Sequence, residues 1–181
     1  MPTSLVHNCS DELRKFAPGL SVYLHTGANR YRGNCFLQEF SRFQIILTSY
    51  GTVRQDIDFL QQCRFLYVVL DESQNIKNHS SQPFYSVKLL RSYHKLTLTG
   101  TPIENSLSDL WAQMEFLNPG ILGTLDEFQG RFRGNDLIND EEETHALLNI
   151  VSPFILRRTK ERVADGIAAA DGRDHLLRDE H

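Results

Sequence analysis

Short apolar runs alternate along this chain with longer stretches of mixed polarity. Ser21-Val22-Tyr23-Leu24, Gln44-Ile45-Ile46-Leu47-Thr48, Phe65-Leu66-Tyr67-Val68-Val69-Leu70 and Leu96-Thr97-Leu98-Thr99 are rich in β-formers, and several are almost continuously apolar. Strands of a parallel sheet look like this because both of their faces are covered. Between them, residues 11–16, 53–63 and 84–92 suit crossover helices. The alternation predicts an α/β fold with a mainly parallel sheet and helices on both faces. Pro18-Gly19 stops the first helix. A later helix is predicted over 106–117, with Leu107, Leu110, Trp111, Met114 and Leu117 at helical spacing, ending at Asn118-Pro119-Gly120. Trp111 and Met114 read as core. The acidic stretch 134–144 reads as a loop that runs into a helix over 141–151.

The bulk numbers remove several classes of function. A chain of 181 residues can hold one domain with a real core. Its 40% hydrophobic and 23% charged residues are ordinary for a globular protein. No apolar run approaches the ~18–20 residues of a membrane span, and no basic-then-apolar signal opens the chain. Cytoplasmic residence is the default expectation, nucleoid-associated in a prokaryote and nuclear in a eukaryote. Cys9, Cys35 and Cys63 stand far apart with no CxxC pair, so neither a disulfide framework nor a zinc site is suggested. His25, His79 and His94 have no partner identifiable from spacing, which favours structural or surface roles. A net charge of −4 is not that of a free-standing nucleic-acid binder, so any DNA contact falls to a local face.

Two segments carry candidate chemistry. In Leu70-Asp71-Glu72-Ser73-Gln74-Asn75-Ile76-Lys77-Asn78 an apolar strand delivers two carboxylates to the carboxyl edge of a parallel sheet. Open α/β sheets bind ligands at that edge. One acid there can hold a magnesium ion and the other can orient or deprotonate an attacking water. An Asp-Glu pair alone is more often just a solvated strand end. The second segment, Leu98-Thr99-Gly100-Thr101-Pro102-Ile103-Glu104-Asn105, follows at the distance of one helix plus one strand. Its hydroxyls and glycine are placed to hydrogen-bond the acids, although Gly-Thr-Pro is also a good plain turn. The two in this order are more specific than either alone.

Taken with Ser108-Asp109-Leu110-Trp111 and Phe116-Leu117-Asn118-Pro119-Gly120, these segments resemble the SWI/SNF-type family of DNA-dependent ATPases, helicase-related motors of superfamily 2. Pro2-Thr3-Ser4-Leu5-Val6-His7-Asn8 is similar to the family's motif Ia, Leu47-Thr48-Ser49-Tyr50 to a further DNA-side motif, and Pro153-Phe154-Ile155-Leu156-Arg157-Arg158-Thr159-Lys160 to the close of the first motor lobe. The resemblance runs from about 2 to 163, in family order. It implies a RecA-like three-layer αβα lobe that translocates on double-stranded DNA, fuelled by Mg-ATP. By it, Asp71 is the magnesium-linked acid, Glu72 the catalytic base and Gln74 a contact on the phosphate side. Thr99, Gly100 and Thr101 couple hydrolysis to movement. Thr3, Ser4, Thr48 and Ser49 lie near the DNA backbone, where short hydroxyls and amides make sequence-blind contacts. Arg157 and Arg158, with Lys160 and Arg162, either meet phosphates or form a solvated basic face. RNA polymerase or another DNA-bound protein is the implied cargo. Cys9 departs from the tryptophan common in relatives, which bears on packing.

Half of the expected ATP site is not encoded in these residues. A phosphate loop needs Gly-Lys-Thr/Ser, yet no Gly-Lys dipeptide occurs. Second-lobe arginine fingers are also missing, so catalysis by this chain alone is expected to be negligible. A lobe without its N-terminal phosphate-loop unit exposes a sheet edge and apolar surface. After Val163 the resemblance stops. A one-base shift near Gly166 admits the Leu-Pro-x-(Lys/Arg)-Thr-Glu continuation of relatives, so 164–181 reads as a divergent tail, either frameshifted and then expected to be poorly ordered, or a natural divergent end. The rival readings are a catalytically inert DNA- or protein-binding remnant, and an unrelated nucleotide-binding α/β domain.

Overall fold

The structure, a computed structural model, describes residues 1–76, 78–100, 107–132 and 141–157. The chain divides into two compact units, 1–133 and 134–181. In the first, a turn over Thr3–Leu5 leads into α1 (Val6–Phe16), followed by β1 (Val22–His25), α2 (Gly33–Glu39), β2 (Ile45–Thr48) and α3 (Tyr50–Leu60). Then come β3 (Arg64–Leu70), α4 (Gln82–Lys88), β4 (Arg91–Thr97), α5 (Leu107–Leu117) and α6 (Leu125–Arg131). The second unit contributes α7 (Glu141–Val151) and a 3-10 turn over Ser152–Phe154. Among the described residues, no helix is long and apolar enough to cross a membrane.

Every pairing is parallel, as the buried-strand pattern implies. Among the described residues, however, the strands form two separate two-stranded ladders, β1–β2 and β3–β4, not one continuous sheet. In the second ladder Val69 faces Leu96 and Leu70 faces Thr97, so both strands end at one level. That level sets the position of the candidate site.

One predicted element is corrected. The helix expected over 84–92 ends at Lys88, and β4 begins at Arg91. His94 and Lys95, polar residues that fall inside the expected helix-to-strand boundary, have places across the ladder and against α5. His94 packs at a tilt against Tyr67 with ring centroids 4.7 Å apart, Arg64 lies over the Tyr93 ring at 5.3 Å, and the Lys95 ammonium sits 4.8 Å from the Phe116 centroid. Cross-strand pairing of this kind outweighs the local preference. Two helices, α2 and α6, have no counterpart in the sequence reading. The second carries a readable signal, because Thr124 and Glu127 form a reciprocal capping box at its start.

Helix α5 matches expectation: Trp111 and Met114 are buried with Leu110, Ala112 and Phe116. The Trp111 indole N–H donates to Gly123 O at 3.1 Å, which fixes the turn after the helix. Glu115 accepts from Lys88 Nζ at 2.8 Å and from Gly120 N at 2.9 Å, tying α4 and that turn to α5. The apolar exposure expected at the sheet is present as well. Tyr67, Val69, Leu96 and Leu98 are all exposed, and Val69 and Leu96 are register partners.

A buried polar brace joins β1 to α3. His25, fully buried, shares a 3.0 Å hydrogen bond between Nε2 and Asp56 Oδ2. Arg30 donates through Nε and Nη2 to the same carboxylate and through Nη1 to Gly27 O. Arg30 and Asp56 side chains are each 5% exposed. Burial pushes His25 below its ordinary range, and Asp56 only partly restores it. Burial pushes Asp56 up, but the Arg30 hydrogen bond and charge, with help from His25, bring it below the usual carboxylate range. Neutral His25 donating to an Asp56–Arg30 ion pair fits both directions, and the role expected for His25 is structural, with a partner spacing did not reveal.

Removing one member of a buried ion pair strands the other charge. Asp56→Ala is therefore expected to cost roughly 3–5 kcal/mol in urea denaturation. Glu39→Ala, which breaks the exposed Arg42–Glu39 pair, should cost no more than about 1 kcal/mol. Both folded-state pKa values lie below their unfolded ones, so the unfolded chain binds more protons as acid is added. His25's contribution is intact above its unfolded value of 6.5 and is lost as pH falls through the folded value; that of Asp56 follows below 3.8. The urea midpoint should thus drop from pH 7.5 to 5.5, and His25→Gln should flatten that slope. A midpoint independent of pH in the parent chain would contradict the neutral-histidine assignment.

Candidate functional site

The site forms where β3 and β4 end together. Beyond the regular ladder, Leu98 N donates to Leu70 O at 2.7 Å and Ser73 N to Leu98 O at 3.0 Å. These bonds hold the 71–74 turn beside the 98–100 segment, although some twenty-five residues of chain separate them. Ser73, fully buried, also donates through its hydroxyl to Gln113 Oε1 of α5 at 3.2 Å. The turn is therefore fixed from both the sheet and the helix behind it.

Glu72 has a backbone φ of +52°, the left-handed region that side chains other than glycine rarely enter. Asn75 supports this conformation by donating to Glu72 O through its backbone N–H at 3.1 Å and its side-chain amide at 2.8 Å. Such strain is found where a structure holds a side chain in a particular direction. Here the Glu72 carboxylate accepts from Gln74 Nε2, and Gln74 Oε1 in turn accepts from the Thr99 hydroxyl at 3.2 Å. Glu72, Gln74 and Thr99 form one hydrogen-bonded chain. The threonine reaches the acids through Gln74, an indirect version of the contact expected from the sequence.

Asp71 follows β3 directly and is half-buried. It lies within electrostatic reach of Cys9 on α1, whose thiol is pushed up first by burial and then by Asp71. Gly100 sits at the end of the segment, and none of the described residues lies within 4 Å of where a Cβ would be. Thr101 lies outside the described residues. No cluster of three or more potential metal ligands occurs among the described residues. Magnesium needs only one or two protein carboxylates when phosphates and water complete its shell, so Asp71 fits as the protein's share of such a site.

The residues expected near DNA fall into three places. Thr3 and Ser4 are exposed on the turn leading into α1. Thr48 ends β2 and donates its hydroxyl to His25 O at 2.9 Å. Ser49 is buried and caps α3, accepting from Thr52 N at 3.2 Å, so its hydroxyl is engaged within the fold. Arg157 is exposed in the second unit, and Arg158, Lys160 and Arg162 lie outside the described residues. The first two places meet at Tyr50, whose backbone N–H donates to Met1 O at 3.1 Å. Its hydroxyl donates to Asp71 O at 2.9 Å. The sequence reading included Tyr50 in a motif without giving it a role. Gln113 and the Asp56 brace had no sequence signal.

This arrangement can be set beside known proteins. The sequence matches the SNF2-related domain over residues 1–177. The chain belongs to the SNF2-related family. It is 39% identical over 163 residues to an uncharacterized ATP-dependent helicase of Mycoplasma genitalium, covering 90% of this chain and 15% of that protein. It is 38% identical over 174 residues to the TATA-binding protein-associated factor MOT1 of Saccharomyces cerevisiae, covering 90% of this chain and 9% of that one. Among solved structures, the Sulfolobus solfataricus SWI2/SNF2 ATPase core in complex with double-stranded DNA superposes with a TM-score of 0.78 at 42% identity, over 88% of this chain and 32% of the other. The RecA-like α/β fold is thereby shown. This SNF2-related chain spans under a fifth of those curated relatives and about a third of the solved core.

The strain at position 72 makes a prediction. Alanine normally stabilises a fold relative to glycine, but at φ +52° the order reverses. Glu72→Gly should be more stable than Glu72→Ala by about 1 kcal/mol in urea denaturation. Equal stability, or alanine ahead, would show that the backbone at 72 is not held left-handed.

Proposed function

We propose that this chain is the acid-bearing part of the first motor lobe of an ATP-driven double-stranded DNA translocase. The observation that supports it best is the Glu72–Gln74–Thr99 hydrogen-bond chain at the shared carboxyl end of two parallel strands. In this reading Asp71 would hold magnesium, and Glu72 orients the attacking water and accepts its proton. Magnesium nucleotide, when bound, supplies the phosphoryl group and the neutralising charge. Gln74 stands between the base and Thr99, so a change on the phosphate side passes to the 99–101 segment through one amide. Thr3, Ser4, Thr48 and the backbone at Ser49 face the DNA phosphates. Arg157 and Arg158, on the other unit, are separate candidates for phosphate contact. Displacement of a DNA-bound protein such as RNA polymerase is the corresponding use.

A second reading is a catalytically inert DNA- or protein-binding remnant, in which the Glu72–Gln74–Thr99 bonds only brace the strand ends. Hydrolysis measured with and without duplex DNA separates the two. The chain alone should stay at background. In a two-lobed motor built around this segment, hydrolysis should be DNA-stimulated and fall ~10²–10⁴-fold in Glu72→Gln, the usual share of a positioned base. Undiminished hydrolysis in Glu72→Gln would defeat the base assignment, and a motor without DNA stimulation would favour the remnant.

A further inference from the structure

The residue that joins the two halves of the site is Tyr50. It stands first in α3, directly after the Ser49 cap, and is buried. Its main chain is held to Met1 O and its hydroxyl to Asp71 O, so one side chain spans from the Thr48–Ser49 turn to the acid strand. Burial, with Asp71 and Glu72 nearby, pushes the phenol up, which keeps it a hydrogen-bond donor.

The bonded atom matters. The Asp71 carbonyl and the Glu72 N–H lie in one rigid peptide plane. Fixing that oxygen fixes the plane from which the +52° φ of Glu72 is measured, and hence the direction in which the Glu72 side chain leaves the backbone. An aromatic ring has two soft torsions, so it transmits a shift of its own backbone instead of absorbing it. The middle of α3 is anchored by Asp56 to His25 and Arg30, which leaves its first turn, with Tyr50, as the part that answers to the Thr48–Ser49 segment.

We infer that Tyr50 is a positioning residue, through which contact at the Thr48–Ser49 turn sets the Asp71–Glu72 peptide. This rests on the proposed DNA-facing role of that turn. Displacement of the turn by a phosphate backbone tilts α3 at its first residue. The tilt pulls on Asp71 O and rotates Glu72 with its Gln74 and Thr99 partners.

The test uses the 181-residue chain, isotope-labelled for NMR and titrated with a short duplex DNA. In the parent chain, the amides of Ser49–Thr52 and those of Asp71–Gln74 should shift with one common midpoint. Tyr50→Phe should keep the 49–52 response, with its midpoint within twofold, and lose most of the 71–74 response. A second measurement keeps ring and hydroxyl: 3-fluorotyrosine placed at position 50 should give a fluorine resonance that moves with the same midpoint as the Glu72 amide. Shifts at 71–74 that persist in Tyr50→Phe, or that occur while the fluorine signal is still, overturn the inference and leave DNA contact standing. A response at 49–52 with none at 71–74 in the parent chain overturns it equally. No response at 49–52 defeats the DNA-contact reading, and the inference with it.

Discussion

The site depends on one constraint: β3 and β4 run parallel in a register that ends them together. Leu70 faces Thr97, and the two bonds beyond the ladder extend that pairing to Ser73 and Leu98. A parallel pair needs a crossover, here the α4 segment, so the residues that meet at the carboxyl edge come from distant parts of the chain. Shifting the register by one residue would exchange the faces on which Val69 and Leu70 lie and carry Thr99 away from Gln74. The polar chemistry therefore depends on apolar strand packing that touches none of it directly.

Around this edge the polar groups form two connected systems. Glu72, Gln74 and Thr99 link the strand ends to each other. Tyr50 links Asp71 to the start of α3, while Asp56, His25 and Arg30 link the middle of α3 back to β1. Buried polar groups are costly unless bonded, so networks of this kind specify one arrangement of their elements. The left-handed Glu72 is the local cost of that arrangement, sustained by Asn75 and by the sheet.

The exposed apolar face of the β3–β4 ladder stands in contrast. Tyr67, Val69, Leu96 and Leu98 are sequence choices suited to a covered strand, yet they face solvent in this chain. Val69 and Leu96 lie opposite each other in register, and a patch of this kind promotes association. The β-rich pattern of the sequence is that of a sheet covered on both faces.

The sequence alone determined the fold class, the parallel strands, the core positions Trp111 and Met114, and the pairing of an acidic strand end with a Thr-Gly segment. Those features follow from local periodicity and from which residue types sit at strand ends, and both are written in consecutive residues. It misplaced the start of β4, because His94 and Lys95 gain partners only across the ladder and against α5. The brace of Asp56, the turn-fixing bond of Ser73 to Gln113 and the reach of Tyr50 to Asp71 join residues 20 to 40 positions apart. Only the tertiary structure decided these, because a hydrogen bond depends on the distance and direction between two atoms, and no local pattern encodes the distance between separate elements.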